Sequence, residues 1–141
     1  MYTLLIIEDD ETLRKMYRTQ FENAGYMVFE ANEEKDGIIQ AAREQPDFIL
    51  LDLMMPVGMN GKVALKHLKD DPMTANIPVA ILSVVPDDAE LHIKDDGDEK
   101  FMGKVVGYWR KDVLKPKDVL EKVTNYLEAQ LKGMSALVES E

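Results

Sequence analysis

The chain has 141 residues, 45% of them hydrophobic and 31% charged, with a formal net charge of −10 and no cysteine. That length suits one domain with a sizeable core, and the acidic balance argues against nucleic acid or an anionic membrane as a direct partner. Thiol catalysis, thiolate metal sites and disulfides are excluded, and since no apolar run approaches the ~18 residues of a membrane span and no charged leader precedes the first one, a cytoplasmic protein is expected.

Tyr2 to Ile7 is a continuous apolar run of strand length, the pattern of a parallel strand covered on both faces. Residues 11 to 24 change to helical spacing, with Leu13, Met16, Tyr17, Phe21 and Ala24 on one face, Asp10 placed to cap the start and Gly25 to end the helix. Met27 to Ala31 reads as the second strand. Asn32, Glu33 and Glu34 open a second helix carrying Ile38, Ile39 and Ala42, which Pro46 closes. Phe48 to Asp52 is the third strand, followed by a Met-rich loop to Gly61 and a short helix with Val63, Leu65 and Leu68. Pro78 to Ser83 is the fourth strand. Residues 84 to 103 carry an acidic run, Asp95-Asp96-Gly97-Asp98-Glu99, and too few apolar residues for more than a short helix and loop. Val105 to Trp109 is the fifth strand, and a last helix is expected from Pro116 to about Lys132, with Val119, Leu120, Val123, Tyr126, Leu127 and Leu131 on one face. Residues 1–132 then form the domain and 133–141 a short tail. His67 and His92 stand in polar company and read as solvated surface.

Five strands alternating with helices imply an α/β fold, an open, doubly wound parallel sheet with helices on both faces. Ligands of such sheets bind beyond the carboxyl ends of the strands. Glu8 and Asp9 follow the first strand, Asp52 ends the third and Ser83 the fourth, so they converge on that edge. Carboxylates crowded together resist joint ionisation unless a cation sits among them, and Mg2+, which binds few carboxylates and keeps water, suits this trio. A carboxylate beside Mg2+ attacks phosphorus to form an acyl phosphate, with a hydroxyl and an ammonium to stabilise the transferring group.

The same residues resemble the receiver domain of two-component response regulators, and the resemblance covers nearly the whole chain. Leu5-Ile6-Ile7-Glu8-Asp9-Asp10-Glu11, with Arg14 in the following helix, is similar to the family's opening strand and acidic pair. Ile49-Leu50-Leu51-Asp52-Leu53-Met54-Met55-Pro56 resembles its phosphoacceptor strand and Met-Pro loop, and Asp71-Pro72-Met73-Thr74, Ile77-Pro78-Val79 and Ile81-Leu82-Ser83 resemble the approach to its fourth strand. The resemblance implies the flavodoxin-like, CheY-like fold with strand order 2-1-3-4-5. It further implies that Asp52 takes a phosphoryl group from a histidine kinase or phosphotransfer protein, and that a downstream effector protein reads the phospho state. Asp9 would bind Mg2+ directly, Glu8 through water, and Met54 through its backbone carbonyl. Ser83 would bond the phosphoryl oxygen while an aromatic residue on strand five follows it inward.

The chain departs from the family pattern in four places. Gly58 lengthens the loop after Asp52 by one residue, the stretch from Ser83 to strand five is long and acidic, and Val84 replaces a small residue. The site lysine has two candidates. Lys115-Pro116 keeps the family's dipeptide but puts Asp112 where the aromatic belongs, whereas Lys111 has Tyr108 three residues before it and Val113 two after, with Asp112 in place of proline. Lys111 with Tyr108 is preferred, and the family's cis peptide after the lysine is then not expected. Met54 and Val85 point to slow self-dephosphorylation. Two rival readings are a Mg2+-dependent phosphohydrolase with an aspartate nucleophile, using Glu8 and Asp10, and a binding module that keeps the fold without phosphate turnover. A single-domain regulator and a receiver cut from a longer chain are both compatible with the sequence.

Overall fold

The computed structural model describes residues 1–52, 61–83 and 105–139, with side chains left aside at 61, 62, 83 and 134–139. The expectations for Met54, Gly58, Val84, Val85, His92 and the acidic run therefore lie outside the described residues.

Five parallel strands, β1 (Thr3–Ile7), β2 (Met27–Ala31), β3 (Phe48–Asp52), β4 (Val79–Ser83) and β5 (Val105–Arg110), form one sheet in the order β2-β1-β3-β4-β5. The described helices are α1 (Glu11–Asn23), α2 (Glu34–Glu44), α3 (Gly61–Asp70) and α4 (Pro116–Glu139). β3 is buried at every position, as its unbroken apolar run requires of a central strand covered on both faces.

Alternation along the strands divides the core into two layers. Leu5, Ile7, Ile49, Leu51, Val79 and Ile81 pack under α2 and α3 with Ala41, Ala64, Leu65 and Leu68. Leu4, Ile6, Phe48, Leu50, Ala80 and Leu82 pack on the opposite face with Tyr17 and Phe21 of α1 and Val119, Val123 and Leu127 of α4. The next residues in this alternation, Glu8 and Asp52, therefore belong to the α1 and α4 side of the sheet.

Local chemistry sets the boundaries. Asp10 caps α1, its Oδ1 accepting from Leu13 N at 3.0 Å, and Gly25 leaves that helix at φ 93°, a conformation that glycine adopts without strain. α2 is capped by Glu33 rather than Asn32, with no side-chain bond, and ends at Gln45 in the left-handed region before Pro46. The Asp71-Pro72-Met73-Thr74 stretch is a turn: Met73 N donates to Asp71 Oδ1 at 2.9 Å and the buried Thr74 hydroxyl to Leu68 O at 2.6 Å.

Several apolar positions face outward instead of inward. Met16 is 50% exposed, Ile39 59%, Val63 37% and Leu131 52%, because each lies at the margin of a stripe whose centre fills the layer. α4 continues to Glu139, past the expected end at Lys132. Gly133 keeps a backbone without positive φ, and no proline follows it, so nothing in 133–139 stops the helix. β5 extends one residue further than expected, to Arg110, and no cis peptide occurs among the described residues, so the Lys111–Asp112 bond is trans.

Candidate active site

At the carboxyl edge of the sheet, carboxylate oxygens of Glu8, Asp9 and Asp52 lie within 4.8 Å of one another. β1 and β3 are direct neighbours with Ile7 opposite Leu51, so the residues that end both strands meet without help from any loop. Asp9 is exposed, whereas Glu8 has no exposure and Asp52 is 1% exposed.

Lys111 reaches this group from the end of β5. Its Nζ donates to Glu8 Oε1 at 2.9 Å and stands 3.3 Å from Asp52 Oδ2. Lys115 is exposed, one turn further on, and its backbone N donates to Asp118 at 2.9 Å. Asp112, beside Lys111, is held by Arg110 at 2.6 Å.

Electrostatics follow from this placement. Burial raises the Glu8 carboxyl to about 8, the adjoining Asp52 adds to the rise, and Lys111 opposes it. The Lys111 ammonium is itself pushed above its ordinary value: burial disfavours its charge, but the bonds to Glu8 and the Asp52 charge outweigh that effect. Arg14 fixes the backbone at this point, its Nη1 donating to Glu8 O at 2.8 Å and its Nε to Glu30 at 3.1 Å. Arg18 also pairs with Glu30, so α1 is clamped to the end of β2.

Ser83 ends β4, in register with Arg110. Tyr108, opposite Ile81, is half-buried against the α2 and α3 layer, while Trp109 packs on the other face, stacked on Phe48 at a centroid distance of 6.1 Å. Asp10, the second acid of the phosphohydrolase reading, is taken up as the cap of α1. Two contributors escaped the sequence reading. The phenol of Tyr17 is buried beneath the site, and Glu34, at the start of α2, is a buried acid. Glu34 was read only as a helix-opening acid, although the β2–α2 junction lies on the same edge as Glu8 and Asp52, and that shared edge was the available signal.

The donor set fits Mg2+. It offers hard carboxylate oxygens, one of them on an exposed residue open to water, and a buried cluster whose like charges call for a cation.

Residues 4–107 match the family model of the response regulator receiver domain. The chain is 33% identical over 133 residues to the protein PilH of Pseudomonas aeruginosa, covering 94% of this chain and 100% of PilH. It is 32% identical over 108 residues to the KDP operon transcriptional regulatory protein KdpE of Escherichia coli, covering 76% of this chain but 46% of KdpE. Two solved structures share the fold: the chemotaxis protein CheY4 of Vibrio cholerae (TM-score 0.73, 22% identity, 89% of this chain and 98% of that one) and a CheY-like receiver domain protein of Methanospirillum hungatei (TM-score 0.74, 23% identity, 94% and 98%). No described helix is long and apolar enough to cross a membrane. With its strand order, its edge of acids and these likenesses, the chain belongs to the response regulator receiver domain family.

Proposed function

We propose that Asp52 is the phosphoacceptor of this receiver domain. The observation that carries the reading is the meeting of a buried Asp52 with the Glu8 and Asp9 carboxylates and with Lys111 Nζ at 3.3 Å. An oxygen of Asp52 attacks the phosphorus of a phosphohistidine on a histidine kinase or phosphotransfer protein. The new O–P bond makes an acyl phosphate while the P–N bond breaks and its electron pair returns to the imidazole. Because Asp52 ends a fully buried strand, its position is set by the sheet and little orientational freedom is lost on reaction. Asp9 and Asp52 would hold Mg2+ directly and Glu8 through water, with the Met54 carbonyl as the further ligand that the family resemblance implies, and the bound ion would supply positive charge for the phosphoryl oxygens.

Lys111 has two roles in sequence. Before transfer it compensates Glu8 and Asp52; after transfer its ammonium serves the phosphoryl group. Ser83 accepts the role of hydroxyl donor to the same group, and Tyr108, on the half-buried α2 and α3 side of β5, that of the aromatic switch read by a downstream effector protein. The chain is a signalling phosphoacceptor that catalyses its own phosphorylation and dephosphorylation, and it works in the cytoplasm.

The test is incubation of the full chain with Mg2+ and acetyl phosphate, followed by intact mass, and with beryllofluoride, followed by Trp109 emission. A single phosphoryl adduct that requires Mg2+ and is lost in Asp52→Asn supports the assignment. Adduct formation undiminished in Asp52→Asn, or steady phosphate release from assorted monoesters, overturns it.

A further inference from the structure

Two buried side-chain polar atoms lack a hydrogen-bond partner among the described residues, the Tyr17 hydroxyl and Oε1 of Glu34. Glu34 is 1% exposed. That is a costly position for an acid, since a carboxylate removed from water needs donors or a counter-charge. Among the described residues no ion pair includes it, whereas Glu8 and Asp52 share Lys111.

The location of Glu34 follows from a close approach elsewhere in α2. Gly37 lies so near Ile7 that a Cβ there would stand 2.4 Å from Ile7 Cδ1. Glu34 is three residues earlier on the same helical face, roughly 4.5 Å nearer the helix start. α2 returns antiparallel to the strands it connects, so this step passes Ile7 and arrives at the level of Glu8 and Asp9, a strand residue being about 3.3 Å long. Backbone bonding agrees: Glu8 N donates to Ala31 O at 3.0 Å, and only Asn32 and Glu33 separate Ala31 from Glu34. Burial raises the Glu34 carboxyl, a backbone hydrogen bond opposes the rise, and the neighbouring charges of Asp52 and Asp9 add to it.

We infer that Glu34 is a fourth carboxylate of the cation site, an outer acid whose unbonded oxygen accepts from the water shell of a divalent ion held by Asp9 and Asp52. This inference rests on the cation reading given above. The geometry distinguishes it from the three acids already grouped, whose oxygens are mutually close enough to share one ion. Glu34 approaches from the α2 side of the sheet, opposite the side from which Lys111 reaches Glu8 and Asp52. It adds long-range attraction and a second-layer acceptor without taking a place on the metal. A Glu34 with only a structural part would leave Mg2+ affinity unchanged when it is replaced.

The experiment is a Mg2+ titration of the full chain at constant pH and low ionic strength, by calorimetry and by Trp109 emission, on wild type, Asp9→Asn, Glu34→Gln and Glu34→Ala. Both Glu34 variants are expected to bind Mg2+ about five-fold more weakly, by loss of one partly screened charge near the ion. The difference should shrink as salt is added, while the Mg2+-free melting temperature stays level or rises. If the Glu34 variants bind as wild type does and Asp9→Asn does not bind, the inference fails and the cation site stands. If wild type binds no Mg2+, both fail.

Discussion

The ammonium of Lys111 donates at 2.9 Å to a Glu8 carboxylate that has no contact with solvent. A buried acid with that partner is tied to it: remove the lysine and the crowded carboxylates of Glu8 and Asp52 lose its compensating charge. Asp9, by contrast, is exposed and free to meet a hydrated ion. Neighbours in sequence, Glu8 and Asp9 therefore stand in different surroundings, one buried and the other open to water.

Lys111→Ala is expected to abolish the beryllofluoride response and to cost about 2 kcal/mol of stability in Mg2+-free buffer, less than a fully buried pair because the lysine side chain is 15% exposed. Lys115→Ala should leave both close to wild type, since its side chain is exposed and, among the described residues, the ion pairs to Glu8 and Asp52 come from Lys111. Urea midpoints and Trp109 emission report the two effects. Equal, mild changes in both variants would sink the assignment of Lys111.

Tyr17 has no exposure, and its hydroxyl has no partner among the described residues. Burial, helped by the charges of Glu8 and Asp52, raises the phenol to about 12. A folded-state value above the unfolded one favours the neutral phenol in the native state. Its contribution to stability is therefore full below about pH 10, the unfolded value, and is lost as pH rises through about 12. Tyr17→Phe should be neutral or slightly stabilising at pH 7, because no hydrogen bond is broken, and should flatten the alkaline limb of the stability curve. Chemical denaturation at pH 9 and pH 11 compares them; a parallel decline in the variant counts against the explanation.

Gly37→Ala brings a methyl group against Ile7, itself fully buried. The gain in helix propensity, about 1 kcal/mol, opposes an overpacking cost of roughly 1–3 kcal/mol. A net loss of about 1 kcal/mol is expected, with part of it recovered when Ile7→Val is added. Additivity of the two substitutions in a double-mutant cycle would show that they do not meet.

Lys69 is 5% exposed, and its Nζ donates to Ile77 O at 2.7 Å and Ala75 O at 3.2 Å, holding the turn before β4. Lys69→Met keeps the apolar stem and removes the donor, leaving carbonyls unsatisfied. A loss of about 2–3 kcal/mol is expected from thermal or urea unfolding, with phosphorylation unaffected in the folded fraction. A variant as stable as wild type would show that water replaces the ammonium at no cost.

Apolar runs too long and too uniform for alternation made β1 and β3 legible as buried parallel strands, and a buried parallel strand has a single usable end. Glu8, Asp9 and Asp52 could thus be assembled from sequence order alone, because each lies at or just beyond the end of its strand and the sheet does the rest. Helix faces were less legible at their margins: Met16 and Ile39 keep the spacing of core residues yet point outward, since spacing does not say where a stripe ends. The end of α4 was missed because Gly133 is a stop signal only where the chain turns, and here it does not.

The sequence by itself determined the class of fold and the edge on which the acids meet, because strand-length hydrophobicity and chain connectivity suffice for both. Which lysine joins them was a matter of tertiary structure. Between Val79 and Ala80 the register with β5 slips by one residue, so that Val79 faces Val105 but Ala80 faces Gly107. A one-residue slip exchanges the two faces of a strand. From that point Tyr108 falls on the α2 and α3 layer, Trp109 on the α1 and α4 layer, and Lys111, two residues further, on the side of Glu8 and Asp52. The buried place of Glu34 was decided in the same way, by the packing of Gly37 on Ile7, a contact between segments that no local pattern encodes.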